Sequence, residues 1–143
     1  METPSPANAR QFAELAVSIT RDEASIELDF SPASLQHVDD LICGFRAEGH
    51  TAESMNETIC LFGCYVGEVI IQNHGGQWKL AGDTGFRNVA PADMLVLETP
   101  NKAVWNPLGK AFKLLENGME DSLAFFYGVA TAKLPASLGG GPG

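Results

Sequence analysis

The stretch Thr58–Trp78, TICLFGCYVGEVIIQNHGGQW, decides the fold. From Ile59 to Ile71 every position except Tyr65 and Glu68 is apolar or small. The segment is long and has no proline. It ends at Gly75-Gly76, so it reads as a helix over about Ala52–Asn73 that the paired glycines stop. Its first turns are amphipathic, but from Ile59 onward no polar face remains, which marks an enclosed central helix. Gly63 and Gly67, four residues apart and flanked by Cys60 and Cys64, leave one face almost without bulk. Each helical glycine costs about 1 kcal/mol relative to alanine. The bare face is therefore expected to receive another helix or the last strand in close approach, with a narrow ligand cleft as the other reading.

Working outward, Phe12, Leu15, Ala16 and Ile19 form the stripe of a first helix over about residues 8–21. Ile26, Leu28 and Phe30 alternate with Ser25, Glu27 and Asp29, the pattern of a short half-buried strand. In SPASLQHVDDLICGFRAEG, Ser31 caps, Pro32 suits the first turn, Leu35, Val38, Ile42 and Phe45 face inward, and Gly49 takes the left-handed position after the end. After Gly76, strands are expected at QWKLA, MLVLE and AVW, with a turn at GDTG. Asn106 and Pro107 open a further helix that Gly118 ends. A last helix carries Met119, Leu123, Phe126, Tyr127, Ala130 and Leu134 up to Pro135. The fold class is α+β: a central buried helix, with surrounding helices packed on a small antiparallel sheet. Residues 1–7 read as a flexible tail, 8–135 as one domain, and 136–143, ending in GGGPG, as a second flexible tail.

The 143 residues include 18 acidic against 9 basic ones, a net charge of −9 with no run of Lys or Arg. That balance argues against nucleic acid and anionic membrane as partners, since phosphate binding needs clustered cations. No stretch resembles a signal peptide or is apolar enough to span a bilayer. Three cysteines, two inside the apolar helix, suit a reducing compartment, and the expected location is cytoplasmic.

Glu68 is the candidate for chemistry. An ionised carboxylate buried without a partner costs several kcal/mol, so it must be paired, hydrogen-bonded, protonated or open to a cleft. Tyr65 and Gln72, at i−3 and i+4, can share its strip of the helix. Lys79, Arg87, Lys110, the Trp78 indole and the amides of the GDTG turn are the available partners. As a structural tie, Glu68 fastens the helix to the segment after Gly76. As a site, Tyr65, Glu68, Gln72, Trp78 and Arg87 bind a ligand. Cys60, Cys64 and His74 or His50 make a poor zinc set, with one C-x₃-C and no second ligand pair, so no metal is expected. The serines sit at helix starts. No nucleophile elbow, phosphate loop or dinucleotide fingerprint is present, and neither a catalytic set nor a cofactor is expected.

LDFSPASLQHVDDLI, GCYVGEVIIQNHGGQW and NPLGKAFKLLENGMEDSLAFFY together resemble an uncharacterised bacterial small-domain family, common in actinobacteria-like sequences, with S-P-x-S-L-x-x-V-D, G-x-Y-x-G-E-V and G-G-x-W motifs. The resemblance covers about residues 28–127. It carries over Tyr65, Gly67, Glu68, Gly75, Gly76 and Trp78 as motif positions, and it implies binding or immunity-type roles without an assigned activity, cofactor or substrate. The expected function is a non-catalytic cytoplasmic binding module that meets another protein through an acidic surface. The second expectation is a small-molecule-binding protein or small enzyme with a cleft around Glu68, Tyr65 and Trp78, Lys79 or Arg87 holding an anionic group.

Overall fold

A computed structural model describes residues 2–85 and 91–135. Five α-helices surround or flank a three-stranded sheet, an α+β arrangement: α1 Ala9–Ala24, α2 Leu35–Ala47, α3 Asn56–His74, α4 Pro107–Asn117 and α5 Leu123–Thr131, with β1 Gln77–Leu80, β2 Leu95–Glu98 and β3 Val104–Trp105. The sheet is antiparallel in the order β1-β2-β3, with Trp78 opposite Leu97 and Leu97 opposite Trp105. Lys79 and Glu98 lie diagonally on one face and pair at 3.1 Å.

α3 is the axle. Every residue from Ile59 to Ile70 is buried, and α1, α2, α4 and α5 all pack against it. The bare face works as a double notch. A Cβ on Gly63 would stand 2.6 Å from the Leu108 backbone of α4, and one on Gly67 would overlap the Trp78 indole of β1. Close approach is thus made by a helix and by the first strand of the sheet, not the last.

Ser31 accepts from the Ser34 amide and opens a 3₁₀ turn at Pro32–Ser34 that leads into α2. Asn106 accepts from the Gly109 amide to start α4. Gly49 is left-handed, as its position after α2 requires.

Three expectations are corrected. Residues 25–30 alternate in burial, with Leu28 buried and Ser25, Glu27 and Asp29 exposed, but they form no strand. The described strands β1, β2 and β3 pair only with one another, so none of them pairs with this segment. Its end is held on α3 instead, where Phe30 donates to the Tyr65 hydroxyl and accepts from Asn73, and Ser25 and Phe30 at its ends adopt positive φ. The first helix buries Ala9, Phe12, Ala13, Ala16 and Thr20, whereas Leu15 and Ile19 stay exposed. The alanines lie against α3, and small side chains there favour close packing over burial of the larger ones. The final helix starts at Leu123 because Ser122 caps it by accepting from the Phe125 amide. Met119 falls in a separate 3₁₀ turn and is exposed.

Candidate functional site

The predicted site residues part company in space. Glu68 is almost fully buried, and its Oε2 accepts a 2.8 Å hydrogen bond from the Trp78 indole N–H. Gly67 makes the space for that indole, and Glu68, one residue on, receives its donor. Tyr65 is fully buried and turns elsewhere. Its hydroxyl accepts from the Phe30 amide at 2.8 Å and shares a 2.6 Å hydrogen bond with Ser34 Oγ, while its ring packs on Phe30. Burial pushes the phenol up, against the hydrogen bonds from Ser34 and Phe30, which lower it. Gln72 is exposed, and Asn73 makes the contact on that turn, donating to the Phe30 and Val69 carbonyls. Arg87 lies outside the described residues. Of the other named partners, Lys79 pairs with Glu98 and Lys110 with Asp121.

The sequence reading passed over Asp39. It is fully buried on α2, and its two oxygens accept from Ser122 Oγ at 2.6 Å, the Leu123 amide at 2.6 Å and the Ala124 amide at 3.3 Å. A carboxylate from one helix thus caps the N-terminus of another, where free amides and the helix dipole both favour negative charge. The signal was legible, because Asp39 shares the stripe of Leu35, Val38 and Ile42. His74 is likewise committed. Its Nδ1 donates to the Pro135 carbonyl at 2.7 Å, and its Nε2 shares a 2.8 Å hydrogen bond with the Tyr127 hydroxyl.

Cys43, Cys60 and Cys64 are free thiols, and among the described residues no group of three His, Cys, Asp or Glu could hold a metal ion. Burial, then the charges of Cys60 and Glu68, push the Cys64 thiol up to about 12. Burial raises Cys60 and Cys43 as well. Thiolate is the reactive form, so native protein treated with a thiol reagent at pH 8 should be labelled first at half-buried Cys43, and at Cys64 only after denaturant is added. Equal native labelling of all three, read by peptide mass, would contradict the enclosed helix.

Open space lies elsewhere. A groove of about 580 Å³ runs among α1, α2 and α3, with walls that include Ile19, Leu41, Phe45, Met55 and Phe62. Glu23 and Glu48 line it as well, and among the described residues no Lys or Arg does. Glu48 lies 3.7 Å from His50, whereas Glu23 makes no ion pair among the described residues. Thr20, also in the lining, holds the one buried side-chain polar atom among the described residues without a hydrogen-bond partner, its Oγ1.

Comparison with family models, curated proteins and solved structures found no match. Among the described residues no helix is long and apolar enough to cross a membrane.

Proposed function

We propose that this chain is a non-catalytic binding module that takes a positively charged partner on its acidic surface, at the groove among α1, α2 and α3. One observation carries the reading: among the described residues, apolar walls stand beside two glutamates with no Lys or Arg in the lining. The polar groups elsewhere support it, because buried Asp39, Tyr65 and Glu68 and part-buried His74 are each spent on joining one part of the fold to another. The motif resemblance fits the same reading, since Tyr65, Gly67, Glu68 and Trp78 then serve as scaffold. The free thiols fit a cytoplasmic setting.

The test is a methyl-resolved NMR titration of the full chain with two cationic probes, a lysine-bearing amphipathic peptide and naphthylethylamine, against naphthylacetate. At least one cation should shift Ile19, Leu41 and Met55, and the Glu23→Gln/Glu48→Gln double variant should weaken it about tenfold or less, as exposed charges allow. The reading fails if neither cation moves those signals, or if the anion moves them as strongly.

A further inference from the structure

We propose that residues 3–5 are a lid on a small pocket where α3, α4 and β2 meet, latched by the side chain of Asn8 and able to lift while the five helices stay folded. The inference is independent of the groove among α1, α2 and α3 and goes beyond the binding-module reading.

The pocket has a volume of about 190 Å³. Buried Cys60, Leu95 and Leu108 line its inner side, and half-buried Met94 and Phe112 extend the apolar wall. Thr3 and Pro4 complete the lining, Thr3 exposed and Pro4 half-buried. An apolar cavity of about 150 Å³ already admits a small aromatic molecule, so this space is large enough for a small reagent once the lid is lifted.

Asn8 is the independent pointer. It stands at the N-cap of α1, where an asparagine side chain ordinarily accepts from the first amides of its own helix. Here no helix amide uses it. Its Oδ1 accepts from the Ser5 amide at 2.8 Å, its Nδ2 donates to the Thr3 carbonyl at 3.0 Å, and the residue is buried. The cap is turned back onto the segment before the helix. Among the described residues, no hydrogen bond or ion pair joins residues 2–5 to α3, α4 or the sheet. The Ser5 carbonyl accepts from the Asn8 and Ala9 amides, which ties the end of the lid to α1 as a hinge. Pro4 has no amide to satisfy and holds its own φ, so it can rest on an apolar wall without stranding a donor. Two neutral hydrogen bonds are a small part of what holds the core, so the lid opens well before the helices do.

Cys60 reports the opening, with Cys43 and Cys64 as internal references. The full chain is treated with N-ethylmaleimide at pH 8, and the rate at each cysteine is read by peptide mass. Labelling behind a lid tracks the open population while reclosing outpaces the reagent. In the unaltered protein Cys60 should react more slowly than Cys43. Its rate should barely change in urea below the unfolding transition, whereas Cys64 should react only through that transition. Asn8→Ala removes both latch bonds and should speed Cys60 about tenfold, with Cys43 and Cys64 unchanged. Asn8→Asp keeps an acceptor for Ser5 but loses the donor to Thr3, and should give about a threefold gain. Arg10→Ala, an exposed change in the first turn of α1, should leave all three rates as they are. The lid is overturned if Asn8→Ala leaves the Cys60 rate unchanged, or if Cys64 accelerates with it, since the whole fold would then be opening. It is overturned without any variant if Cys60 of the unaltered protein reacts as fast as Cys43, or if its rate climbs in urea in step with Cys64.

Discussion

Gly67→Ala should destabilise the protein by about 3 kcal/mol, although alanine in a helix interior ordinarily gains about 1 kcal/mol over glycine. The sign reverses because the new methyl would occupy the space of the Trp78 indole. The indole cannot slide aside freely. It lies on β1 opposite Leu97, and its N–H is the donor to Glu68 Oε2. Displacing it overpacks the core and also strips a buried carboxylate of its partner, which costs about 1–3 kcal/mol by itself. For a chain of this length the melting temperature should fall by roughly 10 °C, with a change in tryptophan emission as Trp78 moves. Gly128→Ala is the control. That glycine is exposed on α5 with no atom near the position of a Cβ, so the substitution should be neutral or stabilising. Urea titrations showing Gly67→Ala at least as stable as Gly128→Ala would mean that the indole is not seated in the notch.

The features legible in the sequence were those that burial alone determines. An unbroken apolar run with two glycines and one acid announced an enclosed helix, and Ile59–Ile70 is enclosed. The Trp78 indole stood among the possible partners of Glu68, and it is the one in contact. Features that depend on a second segment were not legible. Residues 25–30 have strand periodicity because alternate side chains meet the core, yet periodicity carries no information about a neighbouring strand, and none of the described strands pairs with them. Tyr65 and Glu68 share a helix strip by spacing, but the length of the tyrosine carries its hydroxyl to Ser34 and Phe30. The groove is the least legible element. It forms where α1 and α2 both lean on α3 without closing against each other, a property of three elements that no single-segment pattern contains.

Asp39→Ala should cost about 3–5 kcal/mol, the range for breaking a buried, fully hydrogen-bonded charged group and stranding its donors. Three donors lose their acceptor together: Ser122 Oγ and the amides of Leu123 and Ala124. Leu123 is fully buried, so water cannot simply replace the carboxylate there. Against a typical net stability of about 5–15 kcal/mol, the loss is large enough to leave a sizeable unfolded fraction near body temperature. Asp40→Ala is the matched control. Asp40 is the neighbouring acid but points to solvent, and its removal should stay within about 0.5 kcal/mol. Asp39→Asn should fall between, since an amide keeps one acceptor oxygen but turns its NH₂ toward donors. The loss should also be graded along α5. Ser122 still accepts from Phe125, and the Tyr127 hydroxyl still meets His74, so the helix stays fastened beyond its first turn. Hydrogen exchange in the variant should accelerate most at the amides of Leu123 and Ala124, and much less from Tyr127 onward. Uniform acceleration across α5, or equal stability of the Asp39 and Asp40 variants, would show that the buried carboxylate does not hold the helix.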